Sequence, residues 1–188
     1  MDKPVNSLNR DDWVDAALAQ LTEHGIERVS IAALSRELSV TKGSFYYHFK
    51  DRDDLLLTML DRWRETGTEQ ALETVERVGG DAARKLRHLA DITFRVFGGQ
   101  MRLELALRDW GRKDERVWAV IQKVDERRMD YLRIQFLEIF GDEKVAEVKT
   151  WLLYCLFNGE SSITIPPQGQ SRTDVMWACF ELLIGRQK

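Results

Sequence analysis

Cysteine, proline and histidine are all scarce in this 188-residue chain, with two, three and three copies. Cys155 and Cys179 are too few for a disulfide framework and suit a reducing cytoplasm. His24, His48 and His88 stand far apart, with no metal-ligand pair, nucleophile elbow or phosphate loop around them. The sequence therefore predicts no catalytic residues, no metal site, no cofactor and no enzyme. The longest apolar run, Trp151 to Phe157, falls far short of the ~20 residues that span a bilayer, so no membrane role is expected. The first residues carry no basic segment followed by an apolar stretch, which predicts no secretory leader and a cytoplasmic protein. An excess of positive charge is missing too. The formal net charge is −3, and residues 1–60 hold seven Lys/Arg against ten Asp/Glu. Such a chain does not coat nucleic acid indiscriminately.

What is present reads as helix. No segment sustains a two-residue alternation, and glycines punctuate the chain at Gly25, Gly79-Gly80, Gly98-Gly99, Gly111 and Gly141. Asn158-Gly159 lacks flanking alternating runs and is read as a helix irregularity or end. Asp11 or Asp12 is expected to cap a first helix with Trp13, Val14, Ala17, Leu18 and Leu21 on its inner face. Ser30 should cap a second helix burying Ile31, Leu34 and Leu38. After a break at Ser39-Val40, Thr41 should cap a third. Asp51 and Asp54 open a long fourth helix carrying Leu55, Leu56, Met59, Leu60 and Trp63. Further helical segments are expected at 52–78, 81–97, 101–109, 113–140, 142–163 and 172–186, with a loop forced by Pro166-Pro167.

Two short helices joined by a turn and braced by longer ones form a DNA-reading helix-turn-helix. Val40, Phe45 and Phe49 should face inward. The remainder of the third helix is small, polar or aromatic, which suits major-groove approach and contacts to bases or phosphates. The expected DNA-contacting residues are Ser30, Thr41, Lys42, Gly43, Ser44, Tyr46, Tyr47, His48 and Lys50. Arg36 and Arg52 divide between DNA contact and intramolecular pairing. The amides opening the fourth helix could hold one more phosphate. Local charge is favourable, since residues 36–52 carry four cations (Arg36, Lys42, Lys50, Arg52) against Glu37 and Asp51.

The stretch from Gly25 to Leu55 resembles the DNA-binding domain of TetR/AcrR-family regulators, matched at Gly25, Ser30, Val40, Thr41, Gly43, Tyr46, His48, Phe49 and Leu55. It departs from the family pattern at three places. Leu38-Ser39 stands where Ala-Gly is usual, Ser35 where a small alanine packs, and Ala32 where some members place a base-reading arginine. Ser39 must adopt the positive φ of the missing glycine at some cost, or the turn must differ.

The resemblance implies an all-α fold of about nine helices. A three-helix DNA-binding domain (residues 1–52) would be joined by a long helix to an effector-binding and dimerisation domain (residues 53–188). It implies a ligand-responsive homodimer, by default a repressor, released from a palindromic operator on double-stranded DNA by a small molecule. Phe94, Phe97, Met101, Arg108, Trp110, Trp118, Tyr131 and Phe157 are the candidate pocket residues. Trp151, Tyr154, Cys155, Val175, Cys179, Leu182 and Leu183 are the candidate dimer interface. The rival readings are an interaction adaptor built on the same motif, which the acidic balance keeps open, and a redox sensor. The second needs a cation beside a thiol, which the sequence does not place, so both cysteines are read as buried and structural.

Overall fold

The computed structural model describes residues 8–95 and 99–185, and no strand occurs among them. Its helices are α1 (Arg10–His24), α2 (Ile31–Glu37), α3 (Lys42–His48), α4 (Arg52–Arg64), α5 (Gln70–Val78), α6 (Ala82–Arg95), α7 (Gly99–Gly111), α8 (Glu115–Phe140), α9 (Glu143–Gly159) and α10 (Arg172–Ile184). A π-helical turn, Glu65–Glu69, carries α4 directly into α5. Counted as one helix, that run extends over 52–78 as expected, and the described helices number nine.

Local chemistry sets most helix ends. The cap of α1 is Asn9 rather than Asp11 or Asp12. Its Oδ1 accepts from the Asp12 amide at 3.0 Å, and Asp12 returns the bond to the Asn9 amide at 2.7 Å. Asp12 is thus the reciprocal member of a capping box, which satisfies two otherwise unpaired amides at once. Gly25 ends the helix at φ +78°. Ser30, Asp51, Asp142 and Ser171 each accept from the amide three residues on, opening α2, α4, α9 and α10. Gly141 takes φ +68° to close α8. α9 ends at Gly159, in keeping with the reading of Asn158-Gly159.

The chain forms two compact units. The first comprises residues 1–67 and 103–120, the second residues 68–102 and 121–188. Read by packing, the first unit runs through α4 and takes in parts of α7 and α8. Its core holds Trp13, Ala17, Leu21, Leu34, Phe45, Phe49, Leu55, Met59, Trp63 and Leu107. The Trp13 ring meets Phe45 edge-on at 5.3 Å, and Phe45 stacks with Phe49 at 5.3 Å. In the second unit, Leu86, Ala90 and Phe94 of α6 pack with Leu132 and Phe136 of α8, Leu153 and Phe157 of α9, and Met176 and Phe180 of α10. No helix among the described residues is long and apolar enough to cross a membrane.

One expectation fails here. Cys179 is half-buried, but Cys155 is exposed. It lies on the stripe of α9 that the second unit's own core leaves uncovered.

Candidate nucleic-acid interface

The first unit presents α3 on a rigid aromatic base. Phe45 and Phe49 are buried, and the opposite side of the helix is open. Thr41, Lys42, Gly43, Tyr46, Tyr47 and Lys50 are exposed, while Ser30, Ser44 and His48 are half-buried. Tyr46 and Tyr47 expose 58% and 86% of their surface. The edge of the Tyr46 ring meets Phe45 at 5.4 Å, and Tyr47 meets His48 at 5.1 Å. Leu8, Ser39, Val40, Thr41, Ser44, Tyr47 and His48 line a concave surface beside the α2–α3 turn. The structure thus brings all but Ser30 of the expected contact residues onto α3 and its flanks. Ser30 is committed to capping α2.

The turn into α3 resolves an alternative the sequence left open. Ser39 adopts φ +57°. Its amide donates to Arg36 O at 3.2 Å and the Val40 amide to Ser35 O at 2.9 Å. This is the Schellman arrangement, in which a left-handed residue satisfies the last helical carbonyls. Serine holds a place that glycine would fill more easily.

Arg52 is not available to DNA. Its Nε donates to Val29 O at 2.7 Å and its Nη2 to Ile26 O at 3.0 Å, tying the start of α4 to the segment before α2. The amides opening α4 are also partly engaged. Asp51 accepts from the Asp54 amide at 2.9 Å, and Asp54 from the Lys50 amide at 3.0 Å.

Charge pairing explains how an acidic chain can offer a basic face. Asp11 and Asp15 meet Arg62, Asp54 meets Arg10, Glu27 meets Lys113, and Asp53 meets Arg116. The Lys113 ammonium, shared with Asp109, holds the Glu27 carboxyl below its usual pKa, and the two acids raise the lysine. By contrast Arg28, Arg36, Lys42 and Lys50 form no ion pair among the described residues. Several acids of the first unit are thus answered by cations away from α3, while Lys42 and Lys50 beside its exposed face are not paired among the described residues.

The other candidate residues are distributed as follows. Phe94 and Phe157 meet edge-on at 5.7 Å within the second unit's core. Tyr131, also there, is buried and donates to Glu76 at 2.7 Å. Burial and then the Glu76 carboxylate raise its pKa. Arg108, Trp110 and Trp118 belong to the first unit, Trp110 buried and Trp118 exposed. Phe97 and the side chain of Met101 lie outside the described residues. On the expected interface, Trp151, Cys155 and Leu182 are exposed, and Val175, Cys179 and Leu183 half-buried. Tyr154 is half-buried and donates to Asp125 at 2.6 Å. Val148 and Leu152, outside the set of expected interface residues, are exposed on the same stripe of α9 as Cys155. Their spacing of seven and three residues from Cys155 puts all three on one face of the helix.

These features define a helix-turn-helix domain carried on an all-helical second part. Residues 14–59 match the family model described as bacterial regulatory proteins, tetR family. Over that stretch, the chain resembles the tetR family of bacterial regulatory proteins. It is 29% identical over 80 residues to the HTH-type transcriptional regulator AcrR of Shigella flexneri, covering 43% of this chain and 37% of that protein. It is 32% identical over 80 residues to the HTH-type transcriptional repressor AcnR of Corynebacterium efficiens, covering 40% of this chain and 42% of that one. The matches thus span less than half the length of these relatives. The fold is shared more widely. A TetR-family transcriptional regulator from Streptomyces coelicolor superimposes with a TM-score of 0.77 at 17% identity, over 93% of this chain and 87% of that one. A chain from Saccharomonospora viridis in complex with choline gives 0.76 at 17%, over 93% and 94%.

Proposed function

We propose that this protein is a DNA-binding transcriptional regulator of the bacterial cytoplasm, acting as a homodimer, rather than an enzyme. The observation that carries the reading is the exposed face of α3, with Lys42 and Lys50 unpaired beside Tyr46 and Tyr47 on a buried aromatic base. Residues 1–52 would read DNA and the rest would pair subunits and sense an effector. Two copies of α3 would enter successive major grooves ~34 Å apart, which calls for a palindromic operator. Lysine and tyrosine suit phosphate contacts, and Thr41 and Ser44 suit base edges.

Dimerisation is supported by an uncovered apolar stripe. Val148, Leu152 and Cys155 on α9, with Leu182 on α10, are exposed in the single chain. Pairing them with a second copy would form a four-helix contact. A small-molecule effector is supported by a fold neighbour that was solved with choline. Repression is supported by the similarity to a repressor, and release by an effector is part of the same proposal.

Unbiased selection of bound DNA tests the reading. The wild-type chain should enrich a palindrome, with affinity falling steeply as salt rises. Lys42→Ala and Lys50→Ala should each weaken binding and flatten the salt slope by about 1. A chain that enriches no sequence, or binds without salt dependence, would instead be the interaction adaptor.

A further inference from the structure

Gly43 lies in the first turn of α3, where glycine is a poor helix former beside alanine. Its backbone does not require it. The described glycines with positive φ are Gly25, Gly79, Gly80, Gly141 and Gly169. Packing does not require it either. A β-carbon there would meet nothing nearer than Thr41 Oγ1 at 3.5 Å, an ordinary contact. Nothing among the described residues accounts for the missing side chain.

Helical geometry shows where that gap lies. Counting ~100° per residue from Phe45 and Phe49, Gly43 and Tyr47 fall on the crest opposite these buried rings. The crest is therefore bare at Gly43 and tall one turn later, where Tyr47 is 86% exposed. Thr41, Lys42 and Ser44 stand around the bare point. Thr41 occupies the cap position of α3 without spending its side chain on the cap. A hydroxyl or ammonium reaching from this turn to a base must come within ~3.2 Å, a limit soon lost if the helix is held back.

We propose that Gly43 sets the depth at which α3 enters the major groove, its uncovered Cα lying against a base-pair edge so that the surrounding polar groups reach theirs. The inference rests on the DNA-binding reading and adds that Gly43 acts through specific, not general, DNA affinity. A methyl at this point would separate the first turn from the bases while leaving phosphate contacts at Lys50 and the tyrosines largely in place.

The test is Gly43→Ala in the full-length chain, with melting temperature measured beside affinity for the selected operator and for a random duplex. The melting temperature should rise by about 2–3 °C, since alanine is the better helix former. Operator affinity should fall at least tenfold, and affinity for the random duplex should change less than twofold. Unchanged operator affinity overturns the proposal. So does an equal loss on both duplexes, which would mark a phosphate clash, or a lowered melting temperature, which would show that the fold needs the glycine. Lys42→Ala, expected to weaken both duplexes, separates the two levels. If the wild-type chain selects no operator, the DNA-binding reading fails and this inference with it. If it does select one and Gly43→Ala holds that operator as tightly, only the inference fails.

Discussion

The turn between α2 and α3 offers a sharp test of the local physics, because Ser39 sits at φ +57° in a Schellman cap. An L-residue in the left-handed region gives up roughly 1–2 kcal/mol through the contact of its Cβ with the following carbonyl. Ser39→Gly removes that cost. It also loosens the unfolded chain, which returns about 0.4–1 kcal/mol to the unfolded side. The net expectation is a gain of about 0.5–1 kcal/mol, or a melting temperature higher by roughly 2 °C in a chain of this size. Both hydrogen bonds of the turn come from backbone amides, so they survive the substitution. Ser39→Val should move the other way by more than 1 kcal/mol, since a β-branched residue is a rare occupant of this region. Ser39→Asn should lie near wild type or slightly above. The assay is urea denaturation of all four chains, comparing midpoints at constant slope. A valine variant as stable as wild type, or a glycine variant less stable, would refute the assignment of strain to this residue.

Three further outcomes follow from the same unit and its neighbour. Ser35 is buried, and its hydroxyl meets no hydrogen-bond partner among the described residues. Ser35→Ala should therefore stabilise by about 1 kcal/mol in the same denaturation assay, through relief of the unpaired group and better helix propensity. Arg52→Ala removes two charge-assisted bonds to the Ile26 and Val29 carbonyls and should cost about 2 kcal/mol. A stability unchanged by Arg52→Ala, with DNA binding lost, would instead make Arg52 a DNA contact. Leu182→Glu, at a position 79% exposed in the single chain, should leave helicity intact and yield a monomer by sedimentation. A persistent dimer would place the interface elsewhere.

Helix positions were legible because their signals are local. Gly25, Gly141, Ser30 and Asp51 each act within four residues, and the structure uses all of them as the sequence suggests. The cap of α1 was misread because Asn9 precedes two aspartates of the right chemistry. Only the reciprocal geometry with Asp12 decides between them. The π-helical turn at Glu65–Glu69 carries no comparable mark in the sequence. Nor could periodicity foretell that residues 103–120 pack with the first unit, since that is a matter of long-range contact. Cys155 shows the same limit from another side. A pattern of apolar residues says that a helix has a greasy stripe, and it does not say whether the chain's own core covers it.

The same distinction between sum and arrangement governs the charge. A net −3, with more acids than bases in the first sixty residues, argues against DNA if charge is only counted. The structure distributes it otherwise. Arg10, Arg62, Lys113 and Arg116 hold acids of α1, α4 and the segment before α2. At physiological salt, exposed charges beyond about 8 Å are largely screened, so a phosphate at α3 senses mainly its nearest neighbours. The nearest cations are Lys42 and Lys50, without an ion pair among the described residues, and the nearest acids, Asp51 and Asp54, accept from backbone amides at the start of α4. An acidic remainder then weakens adhesion to arbitrary duplex more than it weakens the fitted contact. On the proposed DNA-binding reading, low net charge becomes a source of discrimination between operator and bulk DNA.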